Sequence, residues 1–341
     1  FVFDHSVLVA NTHMADRMKE AEAFARELGI DLQVRGRGIS HVIAAELGWW
    51  RPGALVLGSD SHTCVGGAFG ALGLGVGASD VTAAMVTGRA WLRVPESLVL
   101  QIKGRPHPAA RARDVMLSVL QRLGQSPFLY RSIEIDGEFV RDLSDDGAAS
   151  MASLSVELGA KCAFIARPAV DGRLPAESIP VIEFDIDGLE PVVSLPHLPA
   201  NGAALCDVVG RKVDYAFVGS CTNSRLEDIA EVARVLAGRS VHPETQLIVT
   251  PGSLQIYRAA IAAGHVDAIV AAGGLVTPPG CGACVGTQGP LPAAGDTVLA
   301  TMNRNFRGRM GNPDASIYLA SPLVTATAAV LGVIPSVEDI A

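Results

Sequence analysis

An α/β fold with mostly parallel sheets is predicted by three observations. Short apolar runs alternate with longer amphipathic ones, most sharply after Asp214. The 36 glycines and 20 prolines are spread along the chain, as many short turns between strands and helices require. The composition, 49% hydrophobic but only 5% aromatic, calls for a core of Ala, Val, Leu and Ile. At 341 residues the chain is long enough for two or three domains.

The elements follow in order. Phe1-Val2-Phe3 opens the chain in what reads as a strand, and the native N-terminus is expected to lie further upstream. Residues 12–28 read as a helix capped by Thr12 and stopped by Gly29. A strand at 54–57 runs into Gly58-Ser59-Asp60-Ser61-His62. Ser79 is placed to cap a helix over 80–91. A strand at 97–102 precedes a helix at 110–123 closed by Gly124, a strand at 132–135 and a helix at 147–158. The Pro-rich, acidic segment 174–210 holds a strand at 181–184, and its latter part reads as an interdomain linker; a second boundary falls near Gly104. Strands at 215–218, 246–249 and 297–300 alternate with helices over 224–236 and after Ser253. Ser321-Pro322 starts the last helix with proline at its first position. Such alternation implies parallel sheets covered on both faces.

Several classes of function are disfavoured. The mean hydropathy of +0.33 is incompatible with disorder. No apolar run reaches the ~20 residues of a membrane span, and no signal, transit or lipidation motif is seen, so a cytoplasmic protein is expected. A net charge of −8 without a basic stripe argues against nucleic acid as a partner. The run from Gly66 to Gly77 invites a dinucleotide reading. Its glycines are not set between a strand and a helix with an acidic residue ~20 positions on, so close backbone packing is the better expectation.

Six cysteines occur, Cys64, Cys162, Cys206, Cys221, Cys281 and Cys284, and half lie in glycine-rich turns. Gly219-Ser220-Cys221-Thr222-Asn223-Ser224 joins a strand to a helix, where open α/β sheets bind ligands. A helix N-terminus there would favour thiolate, although a buried structural cysteine fits the turn equally. Pro279-Gly280-Cys281-Gly282-Ala283-Cys284 could be a redox pair, half a zinc site or part of an iron–sulfur site. Structural zinc wants four ligands, and no second C-x-x-C is present. Three thiolates instead suit a [4Fe–4S] cluster with one iron lacking a protein ligand, a composition that leans toward catalysis rather than electron transfer.

Asp60-Ser61-His62-Thr63 lies on a turn after a strand and could be no more than an Asx turn with a solvated histidine. The spacing of Asp60 and His62 does not assure that they meet. Glu183, in an apolar strand, is expected to be a buried carboxylate with a histidine partner. Asn303-Arg304-Asn305-Phe306-Arg307-Gly308-Arg309 follows a strand, and its arginines suggest an anion site, since Arg grips carboxylates bidentately.

Taken together, and in this order along the chain, these motifs resemble the aconitase superfamily, and within it the large subunit of its two-subunit hydro-lyases. The resemblance runs from Phe3-Asp4-His5 to the C-terminal part of the chain. It implies three α/β/α domains around a central iron–sulfur cluster: residues 1–104 with an N-terminal part missing, residues 105–205, and residues 206–341 carrying the cluster cysteines. A fourth, swivelling domain would be a separate small subunit, the expected partner, and would bring the serine base. Cys221, Cys281 and Cys284 would hold one [4Fe–4S] cluster with a labile fourth iron. Asp4 and His5 would protonate the departing hydroxyl, and His41 and Glu183 would form another site pair. Asp60, Ser61 and His62 would line the open iron; Asn303 would sit beside the cluster, and Arg304 and Arg309 would bind substrate carboxylates.

Two departures from the family pattern stand out. Ala283 occupies a position often held by proline. Ile179 lies near Glu183 where related enzymes usually carry Asp just upstream. The implied reaction is reversible dehydration and rehydration of a hydroxy di- or tricarboxylic acid. 2-Isopropylmalate is the expected substrate; homocitrate, citrate and methylmalate-type acids are the alternatives.

Overall fold

Residues 1–168 and 179–340 are described by the structure, a computed structural model. Chain packing divides them into two units. One comprises Phe1–Ile43, Leu195–Leu198 and Leu205–Ala341; the other comprises Ala44–Ser194 and Pro199–Ala204. Gly104 lies inside the second unit. The chain passes from one unit to the other at three points between residues 194 and 205, within the segment read as a linker.

In the first unit five parallel strands form a sheet in the order Leu275–Val276, Gln246–Val249, Tyr215–Val218, Thr297–Ala300, Ser316–Leu319. Tyr215–Val218 is buried at every position, as a strand covered on both faces must be. Helix Leu226–Leu236 buries Ile229, Val232, Ala233 and Leu236, an i, i+3, i+4, i+7 stripe, and packs against helix Pro322–Leu331. The chain leaves Tyr215–Val218 toward one edge of the sheet and returns to Thr297–Ala300 on its other side. The order therefore reverses between these two strands, and the loops at their C-terminal ends open onto a switch point, where such sheets bind ligands.

The second unit holds a four-stranded parallel sheet in the order Cys162–Ile165, Ser132–Asp136, Ser97–Lys103, Val181–Asp185. A parallel pair, Leu55–Gly58 with Leu72–Gly75, and an antiparallel pair, Val192–Ser194 with Gly202–Ala204, complete it. Its core joins Leu98, Leu100, Val115, Ile133, Phe128, Met151 and Ile165. The glycine-rich run serves close packing here: a Cβ on Gly67 would lie 1.5 Å from the Ala163 carbonyl oxygen.

Local readings differ in several places. Residues 1–3 form no strand; Phe1 is tied by its amino group to the Asp31 carbonyl at 2.6 Å and by its own carbonyl to Gln33 N–H at 2.9 Å, two bonds that do not make a ladder. Asn11, not Thr12, caps helix Thr12–Glu27, accepting from Met14 N–H at 2.9 Å. The helix expected over 80–91 spans Ala78–Thr87. Gly77 is its cap, and left-handed Gly88 ends it early. The helix expected at 147–158 begins at Asp145, two residues earlier, on a Ser144 cap, and tightens into a 3-10 turn over Ser155–Leu158. The helix after Cys221 starts at Leu226, with Arg225 rather than Ser224 as its cap. Strands Leu72–Gly75, Cys162–Ile165 and Ser316–Leu319 were not anticipated. Among the described residues no helix is long and apolar enough to cross a membrane.

Candidate functional site

The site of the first unit is built on the C-terminal edge of its sheet. Cys221 lies on the loop leaving Tyr215–Val218, and Asn303 and Arg309 lie on the loop leaving Thr297–Ala300. The two loops are stitched together at the switch point. Gly219 N–H donates to Thr301 Oγ1 at 2.9 Å, Thr301 Oγ1 donates to the Gly219 carbonyl at 3.1 Å, and Thr222 Oγ1 donates to Asn303 Oδ1. Asn303 Nδ2 then points at Cys221 Sγ at 3.5 Å. Ser220, with φ +72°, turns the backbone between strand and cysteine.

The second cysteine loop joins the same place. Cys221, Cys281 and Cys284 belong to one buried cluster with Phe217, Ile39, Met302 and Met310. A Cβ on Gly219 would meet Phe217 Cζ at 2.7 Å, and one on Gly282 would meet Phe217 Cε2 at 3.2 Å and Thr250 Oγ1 at 2.6 Å. Both loops therefore rest directly on the same two side chains, and a residue larger than glycine fits at neither point.

Asp4 and His5 meet this loop as well. The Asp4 carbonyl accepts Cys281 N–H at 2.9 Å. Asp4 Oδ1 pairs with His5 Nδ1 at 2.7 Å, and Asp4 Oδ2 accepts Ser40 N–H at 3.0 Å. Ligand atoms of Asp4, His5 and Cys281 all lie within 4.8 Å of one another. Burial pushes the Asp4 carboxyl up, but the hydrogen bond and charge of His5 and the Ser40 bonds outweigh it and hold the group below the usual carboxylate range. His41, one residue past Ser40, is buried in the short helix Ser40–Glu46.

The donor set fits a thiolate-held metal group. The three thiols are buried, and no disulfide joins them. Asn303 Nδ2 faces one sulfur, and Arg309 Nη2 faces Cys284 Sγ at 3.6 Å. Donors aimed at sulfur suit thiolates rather than a structural thiol pair. Arg309 Nε is buried without a partner among the described residues, leaving a donor for an anion.

The Asp60-Ser61-His62 motif lies in the second unit. Asp60 caps the 3-10 turn Ser61–Phe69, accepting His62 N–H at 2.7 Å, and the same Oδ1 meets His62 Nδ1 at 3.2 Å. The dyad that spacing did not assure is therefore formed. His62 Nε2 meets Glu157 Oε1 at 3.2 Å, with both side chains less than a tenth exposed. Fixed at both ring nitrogens, His62 is oriented by two carboxylates.

Glu183 departs from expectation. It faces solvent and pairs with Lys103 Nζ at 2.6 Å on the neighbouring strand. The alternation along Val181–Asp185 buries Phe184 and turns Glu183 outward. Glu157 is instead a buried carboxylate in this unit with a histidine partner. The signal was present, a single acidic residue in the apolar stretch Met151-Ala152-Ser153-Leu154-Ser155-Val156-Glu157-Leu158.

Comparisons with known proteins place the whole chain in one family. The profile described as Aconitase family (aconitate hydratase) matches residues 2–171 and 201–332. The 3-isopropylmalate dehydratase large subunit of Moorella thermoacetica is 39% identical over 355 aligned residues, covering 99% of this chain and 84% of that relative. The probable methanogen homoaconitase large subunit of Methanothermobacter thermautotrophicus is 37% identical, covering 99% of this chain and 83% of the relative. The crystal structure of Thermococcus kodakaraensis aconitase X in its holo-form shares the fold, with a TM-score of 0.55 at 13% identity over 87% of this chain and 72% of that one. A profile match across both units, with relatives this similar over nearly the whole chain, places it: the chain belongs to the aconitase family.

Proposed function

We propose that the chain is the large subunit of a two-subunit hydro-lyase that interconverts 2-isopropylmalate and 3-isopropylmalate in leucine biosynthesis in the cytoplasm. The observation that carries this reading is the convergence of Cys221, Cys281 and Cys284 on one buried cluster beside Asp4, His5, Asn303 and Arg309. Relatives named as 3-isopropylmalate dehydratase large subunits support the substrate. The homoaconitase-named relative favours homocitrate as the second reading. Within the same reading, segments 1–104, 105–205 and 206–341 are three α/β domains.

Cys221, Cys281 and Cys284 would hold a [4Fe–4S] cluster, which supplies a Lewis-acidic iron with no protein ligand. The chain's own residues do the rest. Arg304 and Arg309 bind substrate carboxylates, and Asn303 orients Cys221. Buried Asp4 keeps its charge and stabilises the imidazolium of half-exposed His5, which delivers a proton to the departing hydroxyl. His62, braced by Asp60 and Glu157, presents a fixed ring beside Ser61. The base that removes the carbon-bound proton comes from the small subunit.

The test is co-expression with candidate small subunits, anaerobic purification, and assay on 2-isopropylmalate, homocitrate and citrate. Turnover of 2-isopropylmalate above the other two is expected. Activity with homocitrate alone selects the second reading, and no turnover of any hydroxy acid by a brown, iron-replete complex refutes both.

A further inference from the structure

We infer that Arg225 is a further substrate-binding residue, one that receives a carboxylate of the hydroxy acid; the inference rests on the hydro-lyase reading above. Arg225 follows Cys221 by four positions and is 3% exposed. Its Nε and Nη2 are buried with no hydrogen-bond partner among the described residues. Asp228, one turn further on, is engaged elsewhere: it accepts the Arg225 backbone N–H at 2.9 Å and the Asn223 side-chain amide at 2.9 Å. Beside it, the Ser224 hydroxyl is also buried and without a partner.

A guanidinium stays charged at any pH the fold survives, so protonation equilibria cannot relieve it. A buried guanidinium with nitrogens left unpaired is strongly unfavourable. Retained in the free protein, it marks a place where an anion arrives with the ligand. Its setting fixes which ligand. The Ser224 carbonyl accepts Gly252 N–H at 2.8 Å, the adjoining Pro251 carbonyl accepts Gly280 N–H at 3.2 Å, and the Gly252 carbonyl accepts Ile39 N–H at 2.8 Å. Arg225 is thereby anchored to the Cys281 loop and to the segment leading into His41. Near-complete burial shuts out large anions and surface partners, whereas a small di- or tricarboxylic acid in the site matches the guanidinium fork. With Arg304 and Arg309 engaging one carboxylate, Arg225 takes another.

The inference is tested on the anaerobic complex with its small subunit, using 2-isopropylmalate or whichever hydroxy acid the wild type turns over. Arg225→Met and Arg225→Lys are compared with wild type for KM, kcat, iron content and Tm of the substrate-free protein. The expected result is a KM raised roughly 10–100-fold in Arg225→Met, a smaller rise in Arg225→Lys, unchanged iron, and a substrate-free Tm at or above wild type because an uncompensated charge has gone. Guanidinium ion should restore part of the lost affinity in Arg225→Ala. Wild-type KM in both Arg225→Met and Arg225→Lys would overturn the inference alone, whatever the Tm, and a lowered Tm beside it would assign Arg225 a structural role. A wild-type complex inactive on every hydroxy acid would overturn the hydro-lyase reading and this inference with it.

Discussion

His5 Nδ1 pairs with Asp4 Oδ1 at 2.7 Å, and two-fifths of the His5 side chain is open. A histidine whose ring is oriented by a carboxylate and reachable from outside is placed for proton transfer. His5→Ala is expected to lower kcat about 10²–10⁴-fold with visible absorbance and iron retained, as read by anaerobic assay beside metal analysis. The two glutamates separate in the same way. Loss of the charged hydrogen bond in Glu157→Gln is expected to reduce kcat/KM roughly tenfold or more. Glu183→Gln, which removes one exposed ion pair, should leave activity and Tm near wild type. The candidate ligands and anion-binding side chains were legible because their types and order are unusual; their partners were not. Glu157 and Glu183 look alike in sequence, and only the direction of a strand's alternation and the path of a 3-10 turn tell them apart.

Strands that pack through branched side chains were readable within a residue or two, such as Ser97–Lys103 and Thr297–Ala300. Leu72–Gly75 was hidden because Gly73 replaces a strand-forming residue: a Cβ there would lie 2.0 Å from the Thr63 carbonyl oxygen, so close packing overrides propensity. Cys162–Ile165 and Ser316–Leu319 were missed because each carries one β-branched residue, against two in the equally short Thr297–Ala300. The turn Ser61–Phe69 presses on Cys162–Ile165 through Gly67. Gly67→Ala should therefore cost at least the ~1–3 kcal/mol of an overpacked core, measured as a lowered Tm or loss of soluble protein. Helix Ala112–Leu123 carries a pH-dependent element at its first turn. Asp114 accepts Arg111 N–H at 2.7 Å and Val192 N–H at 3.0 Å, yet full burial pushes its carboxyl up to about 6. A carboxyl whose folded pKa lies above its unfolded one favours the folded state while protonated. Its contribution is present below about pH 4 and is lost as pH rises to about 6, a change of roughly 3 kcal/mol. Denaturant titrations of wild type and Asp114→Asn across that range should show this slope only in the wild type.

As a whole, the protein is acidic, with a net charge of −8. A group bound only by the native state raises the apparent stability of that state. The cluster-loaded chain should therefore melt several degrees above the same chain after exposure to air and chelator. Air should also bleach the visible absorbance and quicken hydrogen exchange around residues 219–223 and 280–284. A cluster that survives long exposure with full iron and sulfide would contradict this. The bond from Cys281 N–H to the Asp4 carbonyl also bears on how the enzyme is made. It pairs residue 4 with residue 281, so this cradle cannot form until both have left the ribosome. If the three cysteines hold iron and sulfide, delivery waits until Cys284 has left the ribosome, and shorter nascent intermediates should carry none.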